Sequence, residues 1–582
     1  MNAEQELQLG IEAQRGGRLG DAVRHYRQVL AFDPRNVDAL NLMSSVALAA
    51  GDPATAAALA TSATEEQPDW FVSWLNLGNA LGRMERSTDA IAALRRAVAL
   101  NPQSAEAHVN LSAALNRSGE AAEAADIAVQ AIIIAPGMPE AHTNFGNALL
   151  ALGSPGEAIE AYDKATKLQP DGDLAWFNMG NAFMELGSLD AAIDCFTRSI
   201  ALADAAYKRF NLGNALAQAI RLDEAILAQR AAIALDPGLL DARINLAAIL
   251  RDCGRLDEAE ATLRDALALA PDESQLHWNL ALVLLTKGDY AEGWREYEWR
   301  WRTPYFATFV RRFAAPPWQG EDLAGRSLLV SSEQGFGDAI EMARYIPRLA
   351  ERAAHVVVEC RPGLGRLFST LGPRVEVIEA GTRPLPVTDL QVAMMSLPYR
   401  FGTEIGTVPA ACPYLAPPTG ALTFPAITAA EGVKVGVVWS GSANRSDNRV
   451  RSFRAHDLTA LPGAKLFSLQ KGDAAADASD LFDHGRLIDL GPELRDFADT
   501  AAAIVQLDLV ITADTAVAHL AGALGKPVWI VLGYPCAAFL WMTGRDDSPW
   551  YPSARLFRQT RPGDWSEVMA QLRQAFAKHF RG

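Results

Sequence analysis

From Ala3 to about residue 303, apolar side chains recur at helical spacing, and the runs are interrupted at a fixed interval. Prolines close successive stretches at Pro34, Pro68, Pro102, Pro136 and Pro170, each 34 residues after the last. The next place in the series is Asp204, followed by Pro237 and Pro271. Small residues keep the same rhythm. Ala22, Ala56, Ala90, Ala124, Ala158, Ala192, Ala225 and Ala259 stand twelve positions before each landmark from Pro34 to Pro271. Gly78, Ser112, Gly146, Gly180, Gly213 and Ala247 stand twenty-four before. Small side chains at two fixed places let paired helices approach closely, and a proline cannot continue a helix, so each landmark closes one unit and opens the next.

This period resembles that of tetratricopeptide repeats, with about eight units and an incomplete ninth over residues 3–303. Each unit buries its apolar face against its neighbours, so the resemblance implies a right-handed superhelix with a concave inner wall. The last unit departs from the pattern. Its second helix carries Tyr290, Trp294, Tyr297, Trp299 and Trp301, too apolar for a free end, and is expected to dock on the C-terminal half of the chain. Six positions into the first helix of successive units stand Asn76, Asn110, Asn144, Asn178, Asn211, Asn245 and Asn279, with Asn79, Asn147, Asn181 and Asn214 three residues later. Positions i and i+3 share a helix face, so this column is expected on the concave wall. Side-chain amides donate and accept, so the column suits an extended acceptor peptide held by its backbone. The alternative is that each asparagine simply bonds the neighbouring helix.

Near residue 304 the periodicity stops. Pro304, Pro316, Pro317 and Trp318 mark a linker over 304–325. Short β-branched runs then alternate with helical stretches, which predicts βα units with parallel sheets. A first half spans 326–418, with strands at Ser327–Ser332, His355–Glu359 and Val375–Glu379. A second half spans 432–582, with strands at Val433–Trp439, Lys465–Leu469, Leu509–Thr512 and Val528–Leu532. It ends in a closing helix, Trp565–Phe580, expected to cross back over the first half. The fold class expected is an all-α superhelix followed by an α/β GT-B domain of two Rossmann-like halves, although pattern alone does not separate GT-B from two linked doubly wound domains.

Composition trims the functions open to such a chain. Lys and Arg total 53 against 69 Asp and Glu, a net charge of −16, which disfavours phosphate backbones and hence nucleic acid. The start of the chain lacks the basic and apolar run of a signal peptide, and no stretch of about 18 apolar residues suggests a membrane span. Five scattered cysteines give no zinc spacing and no disulfide framework, which fits a cytoplasmic location.

The chemistry concentrates in the second half of the chain. Asp514-Thr515-Ala516 through His519 follows a strand and opens a helix, where amides and the helix dipole favour a phosphate. Gln470 and Lys471 end another strand of the same half within reach of that phosphate. Val438-Trp439-Ser440-Gly441 makes a tight turn, followed by a basic loop with Asn444, Arg445, Asp447, Arg449 and Arg451. In the first half, Glu333-Gln334-Gly335-Phe336-Gly337-Asp338 follows the opening strand.

These segments, with FSLQKG, DTAVAHLAGALGKPVW and SPWYPSARLFRQ, jointly resemble the bacterial tetratricopeptide-repeat glycosyltransferases. The catalytic half of that family is similar to heptosyltransferases and, more distantly, to protein O-GlcNAc transferase. The resemblance implies a metal-independent, inverting transferase without cofactor. The nucleotide-sugar donor, CMP-, UDP- or ADP-linked, would lie on Ser440, Gln470, Lys471, Asp514, Thr515, Ala516 and His519, and the acceptor near the first half. Asp338 matches the acidic position proposed as the base that deprotonates the acceptor hydroxyl, a step a serine or threonine needs before it attacks. Competing structural roles are a helix cap for Asp338, turn support for Asp514, a satisfied buried imidazole for His519 and local pairing for Arg558. Where relatives often carry Trp-Arg-Trp, this chain reads Phe539-Leu540-Trp541, which puts one donor contact in doubt.

Three functions are open to such a chain. The first is a protein O-glycosyltransferase whose repeats capture the acceptor; the layout resembles that of flagellin-glycosylating members, so flagellin is a candidate. The second is a surface-polysaccharide or lipopolysaccharide transferase, with Trp294 to Arg312 as a membrane-facing stretch. The third is a non-catalytic scaffold that binds a nucleotide sugar. Homodimers paired through the convex sides of the repeats are a further option.

Overall fold

The computed structural model describes residues 3–311, 313–442, 448–534 and 538–580, without the side chain of Arg449. Asn444, Arg445 and Asp447 of the basic loop, the Arg449 side chain, Arg312 and Cys536 therefore lie outside the described residues. The chain divides into two compact units, residues 1–237 and 238–582.

The first unit is helical throughout. Helix pairs follow one another from Ala3–Arg15 and Leu19–Phe32 to Ala206–Gln218 and Leu222–Leu235. The second helix of each pair ends shortly before its landmark, as at Leu100 before Pro102 and Leu168 before Pro170. The small-residue positions are where the pairs close. A Cβ added at Gly146 would fall 2.5 Å from the ring of Tyr162, and one at Gly78 2.5 Å from Leu94 Cγ. Ala90, Ala124, Ala158 and Ala192 are wholly buried. A second periodic feature lies in the turn inside each pair, where the backbone enters the left-handed region. Gly17, Gly51, Gly119, Gly153 and Gly187 hold this place with φ between 70° and 82°, but Glu85 (φ 59°) and Ile220 (φ 60°) hold it without glycine.

The second unit begins with four more helices, Leu240–Asp252, Leu256–Leu269, Ser274–Lys287 and Tyr290–Tyr297, and continues into two parallel sheets. The first sheet comprises β1 (Ser327–Ser331), β2 (His355–Cys360), β3 (Val375–Glu379) and β4 (Leu390–Ala393), in the order β3-β2-β1-β4. The second comprises β5 (Val433–Val438), β6 (Ala464–Ser468), β7 (Leu487–Asp489), β8 (Leu509–Ala513), β9 (Val528–Leu532) and β10 (Ala554–Arg558), in the order β10-β9-β8-β5-β6-β7. Neighbouring strands in both sheets are parallel. The short strands β4, β7 and β10 add to those expected from sequence.

Side chains alternate between faces along each strand, and the cores follow that alternation. Leu328 and Val330 of β1 and Val510 of β8 belong to one apolar core that runs through both sheets. Val435, Val437, Leu509 and Ile511 face a second core on the far side of the second sheet. The closing helix, Ser566–His579, lies in that second core. Its apolar face, Val568, Met569, Leu572 and Phe576, packs with Trp529 and Phe557. The expectation that it crosses back over the first half is therefore corrected: its partners are the strands of its own half.

The aromatic run of the last helix docks as expected. Tyr290, Trp294 and Tyr297 are buried. Trp550 Nε1 donates to Tyr290 Oη at 2.8 Å, and Trp294 meets Trp550 and Phe539 edge to face. Arg300 is also fully buried, whereas Tyr305, Phe309 and Val310 further along the Trp294–Arg312 stretch are exposed.

Candidate functional site

In an open parallel sheet the order of strands reverses at one place, and the strand ends there leave a crevice. In the second sheet the reversal falls between β5 and β8. The turns leaving these two strands carry Ser440 and Asp514. Gln470, at the end of β6, holds the first turn: its Oε1 accepts from the Trp439 and Ser440 amides at 3.2 and 3.0 Å, and its Nε2 donates to the Lys471 carbonyl. Ser440 Oγ accepts from Asn448 Nδ2 at 3.2 Å and bonds Ser452 Oγ at 3.0 Å. Arg451 then donates to the Asp514 carbonyl at 3.0 Å, which ties the two turns together.

Thr515 caps helix Ala516–Ala523, its Oγ1 accepting from the Val517 amide at 3.3 Å. The Val517 amide is thus already held by the cap. Asp514 does hold a partner of its own: its Oδ1 accepts from Trp541 Nε1 at 2.9 Å. Trp541, from the Phe539–Trp541 segment, thus holds this turn. Lys471 Nζ donates to the Leu494 carbonyl. Gln470 and Lys471 are therefore already bonded within the chain.

The first half contributes the Gly335–Asp338 turn. Asp338 Oδ2 accepts from the Gly335 amide at 2.9 Å, closing the start of helix Phe336–Met342 as a cap. This turn faces His519. A Cβ on Gly337 would sit 2.9 Å from His519 Cδ2 and 3.3 Å from Nε2, so glycine is what allows the approach. His519 stacks on Trp541 with centroids 5.3 Å apart, and its Nδ1 bonds Tyr551 Oη at 3.0 Å. Burial holds the His519 imidazole below its ordinary pKa, while the carboxylates of Asp514 and Asp338 pull the other way. Asp338, Ala516, His519 and Asp514 thus come together from both halves. Ser440 and Thr515 flank them, and Gln470 supports from behind.

Two charged groups in this neighbourhood escape a reading of the sequence alone. Glu341 is fully buried, and neither carboxyl oxygen has a hydrogen-bond partner among the described residues. Burial raises its pKa well above the usual carboxylate range, with Asp338 and Asp514 adding to the rise. Arg344, three residues on, spans the halves. It donates to the Trp550 carbonyl at 2.6 Å and the Pro409 carbonyl at 3.2 Å, and lies 4.6 Å from the Tyr551 ring centroid. The i, i+3 spacing of Glu341 and Arg344 suggests an ordinary helix pair, and only the burial reveals otherwise. Arg558 pairs locally, donating to the Arg545 and Trp541 carbonyls.

The asparagine column divides by partner. In the first unit, Asn76 Nδ2 donates to the Asn41 carbonyl at 3.2 Å, Asn144 Nδ2 to the Val109 carbonyl at 2.9 Å and Asn178 Nδ2 to Asn147 Oδ1 at 2.9 Å. These bonds reach the preceding pair. Asn211 Nδ2 donates to the Tyr207 carbonyl of its own helix. Asn110 is half-buried in the same register. In the second unit, Asn279 is buried and donates to Gln275, and Asn245 keeps its place in the repeat. Near the start of the column, Leu7, Asp38, Asn41, Trp70 and Asn76 line a cavity of ≈ 380 Å³.

Comparison with known proteins bears on the repeats. Tetratricopeptide-repeat family models match residues 7–69, 75–139, 143–207 and 215–282. The helical array is a tetratricopeptide-repeat array. Protein FlbA of Caulobacter vibrioides is 30% identical over 338 residues, covering 50% of this chain and 53% of that protein. The chain thus spans about half the length of the curated relative it matches. Among solved structures, a thermophilic tetratricopeptide-repeat protein of Thermus thermophilus is 21% identical, covering 31% of this chain and 100% of its own, with a TM-score of 0.28. A tetratricopeptide-repeat protein from Parabacteroides merdae is 12% identical, covering 42% and 97%, with a TM-score of 0.36. Among the described residues no helix is long and apolar enough to cross a membrane, and no group of three or more His, Cys, Asp or Glu is placed to hold a metal ion.

Proposed function

We propose that the second unit is a glycosyltransferase of GT-B type and that the tetratricopeptide repeats present a polypeptide acceptor to it. The observation that supports this reading is the meeting of the Gly335–Asp338 turn with the Asp514–His519 turn. They leave the central strands of two parallel sheets, with Gly337 in contact range of His519. A nucleotide-sugar phosphate would rest on the start of helix Ala516–Ala523 beside Ser440. The Asp338 carboxylate would take the proton of a serine or threonine hydroxyl as its oxygen attacks the sugar carbon, and the nucleotide would leave with its phosphate. His519, kept neutral by burial, would donate a hydrogen bond without adding charge. The acceptor class is a protein, flagellin among the candidates, held along the asparagine column. The Oδ1 atoms of Asn147 and Asn214 are taken by side chains of the array, so the peptide would rely on other members of the column, several bonds of about 0.5–1.5 kcal/mol acting together.

A second reading has its own support. The repeats are the part of the chain that family models match, and Asp338, Gln470 and Lys471 all hold structural bonds. On this reading the chain is a repeat scaffold that binds a nucleotide sugar without transferring it.

Asp338→Asn separates the two roles of Asp338, because asparagine keeps an oxygen to cap Gly335 but has no carboxylate to accept a proton. Under the transferase reading the variant keeps its melting temperature and its nucleotide-sugar affinity by calorimetry. Its transfer to an acceptor protein falls by about two to four orders of magnitude. Undiminished transfer removes Asp338 as the base. Nucleotide-sugar binding by the wild type with no transfer to any acceptor supports the scaffold.

A further inference from the structure

The first sheet has its own point of reversal, between β1 and β4; the sugar-transfer reading takes the far part of the segment after β1, from Gly335 on, and leaves the strand ends themselves without a role. A cavity of ≈ 370 Å³ opens there, lined by Ser331 at the end of β1 with Ser332 and Glu333 after it, and by Val392 and Ala393 at the end of β4 with Ser396 after it. Its walls are aromatic: Trp301, Phe309, Phe313 and Trp318. Phe309 is 44% exposed, so the rim presents a ring face to solvent.

The polar floor is charge-balanced. Glu298 pairs with Arg300 at 2.6 Å and with Arg400 at 3.6 Å, Glu333 pairs with Arg300 at 3.1 Å, and Arg311 pairs with Glu359. Three cations stand against three carboxylates, which gives an ionic ligand no net field to answer. Two floor atoms nonetheless have no hydrogen-bond partner among the described residues: Glu333 Oε2, an acceptor, and Arg400 Nε, a donor. Glu333 is nearly buried, its Oε1 held by Arg300 and by the Met395 amide. A buried acceptor and a buried donor left open on residues that line one cavity call for a ligand whose groups both donate and accept, and hydroxyls do both. Flat aromatic walls call for a ring with an apolar face.

We infer that this cavity is a carbohydrate-binding site for a neutral pyranose, separate from the turn that carries Asp338. The pyranose hydroxyls bond Glu333 and Arg400, and its C–H face lies on the aromatic wall. The inference does not depend on sugar transfer.

The test uses the full chain and methyl glycosides of glucose, galactose and N-acetylglucosamine at millimolar concentration, read by saturation-transfer NMR. The expected result is transfer to the ring protons of at least one glycoside, unaffected by excess CMP, UDP or ADP. Glu333→Gln, which turns the open acceptor into a donor, weakens that binding about tenfold. Phe309→Ala, a change on the exposed rim that leaves the fold intact, weakens it as well. No saturation transfer from any glycoside overturns the inference. So does glycoside binding that nucleotide displaces, or binding that both variants leave unchanged. A neutral peptide that binds with the same sensitivity to both variants, where the glycosides do not, also overturns it.

Discussion

Glu341 sits three residues beyond Asp338, with no partner for either oxygen and a pKa raised by burial. A raised folded-state value means that the carboxyl favours the fold fully below its unfolded value, near 4.5, and that this contribution is lost as pH rises through the folded value. Glu341→Gln keeps the shape and removes the titration. The melting temperature of the wild type relative to this variant should therefore fall as the buffer moves from about pH 5 to about pH 8. A difference that stays flat across that range would show that Glu341 is not desolvated in the folded chain. His519 works with the opposite sign: its lowered value makes its contribution full above about 6.5 and lost as pH falls. Scanning the Glu341 variant against wild type cancels that background. At this scale the sequence was only half informative. Asp338, Asp514 and His519 stand in recognisable turns, and the structure brings them together. Glu341 and Arg344 read as an unremarkable helix pair, because desolvation belongs to the packed state and leaves no mark in local spacing. The duties of Gln470 and Lys471 were hidden for the same reason, since their partners come from other strands and loops.

At the scale of elements, the 34-residue period specified the helix pairs almost residue by residue. Proline and alanine act locally, and their effects do not depend on distant partners. The strands were legible as apolar β-branched runs, but β4 and β7 span only four and three residues, too few to show a period, and β10 (Ala554–Arg558) carries two arginines and no β-branched residue. The closing helix was misplaced because its apolar face fits any sheet face, and only the assembled second half shows which one is open. The left-handed turn inside each pair yields a clean prediction. Glu85 holds φ 59° where most other pairs have glycine, and it is exposed, so no packing is lost on replacement. Glu85→Gly should stabilise the first unit by about 1 kcal/mol, offset in part by glycine's greater freedom when unfolded. Urea denaturation reports this as a higher midpoint with an unchanged slope. A lower midpoint would mean that the turn tolerates a side chain without strain.

For the whole molecule, the division at residues 237 and 238 falls inside the periodic array and not at its end. The last four helices group with the sheets, and the contacts that join them include Trp294, whose ring lies against Trp550 and Phe539, and Tyr290, which accepts from Trp550. A fragment of residues 238–582 should therefore fold cooperatively and keep its ligand affinities. A fragment beginning at residue 304 loses the cover over Trp550 and should aggregate. Circular dichroism and size-exclusion chromatography compare the two directly. A soluble, cooperatively melting fragment from residue 304 would show that the docked helices are dispensable. If the repeats present an acceptor, the 238–582 fragment loses transfer to protein while its nucleotide affinity stays.

Arg344 sets a mechanical limit on this unit. Its guanidinium is anchored in the first half and holds carbonyls of Trp550 and Pro409 in a dry setting among Tyr414, Tyr551 and Trp550. Pulling the sheets straight apart would leave a cation in apolar surroundings, a penalty of several kcal/mol. Pivoting about that guanidinium keeps its bonds, so the two sheets rock about this pin far more readily than they separate.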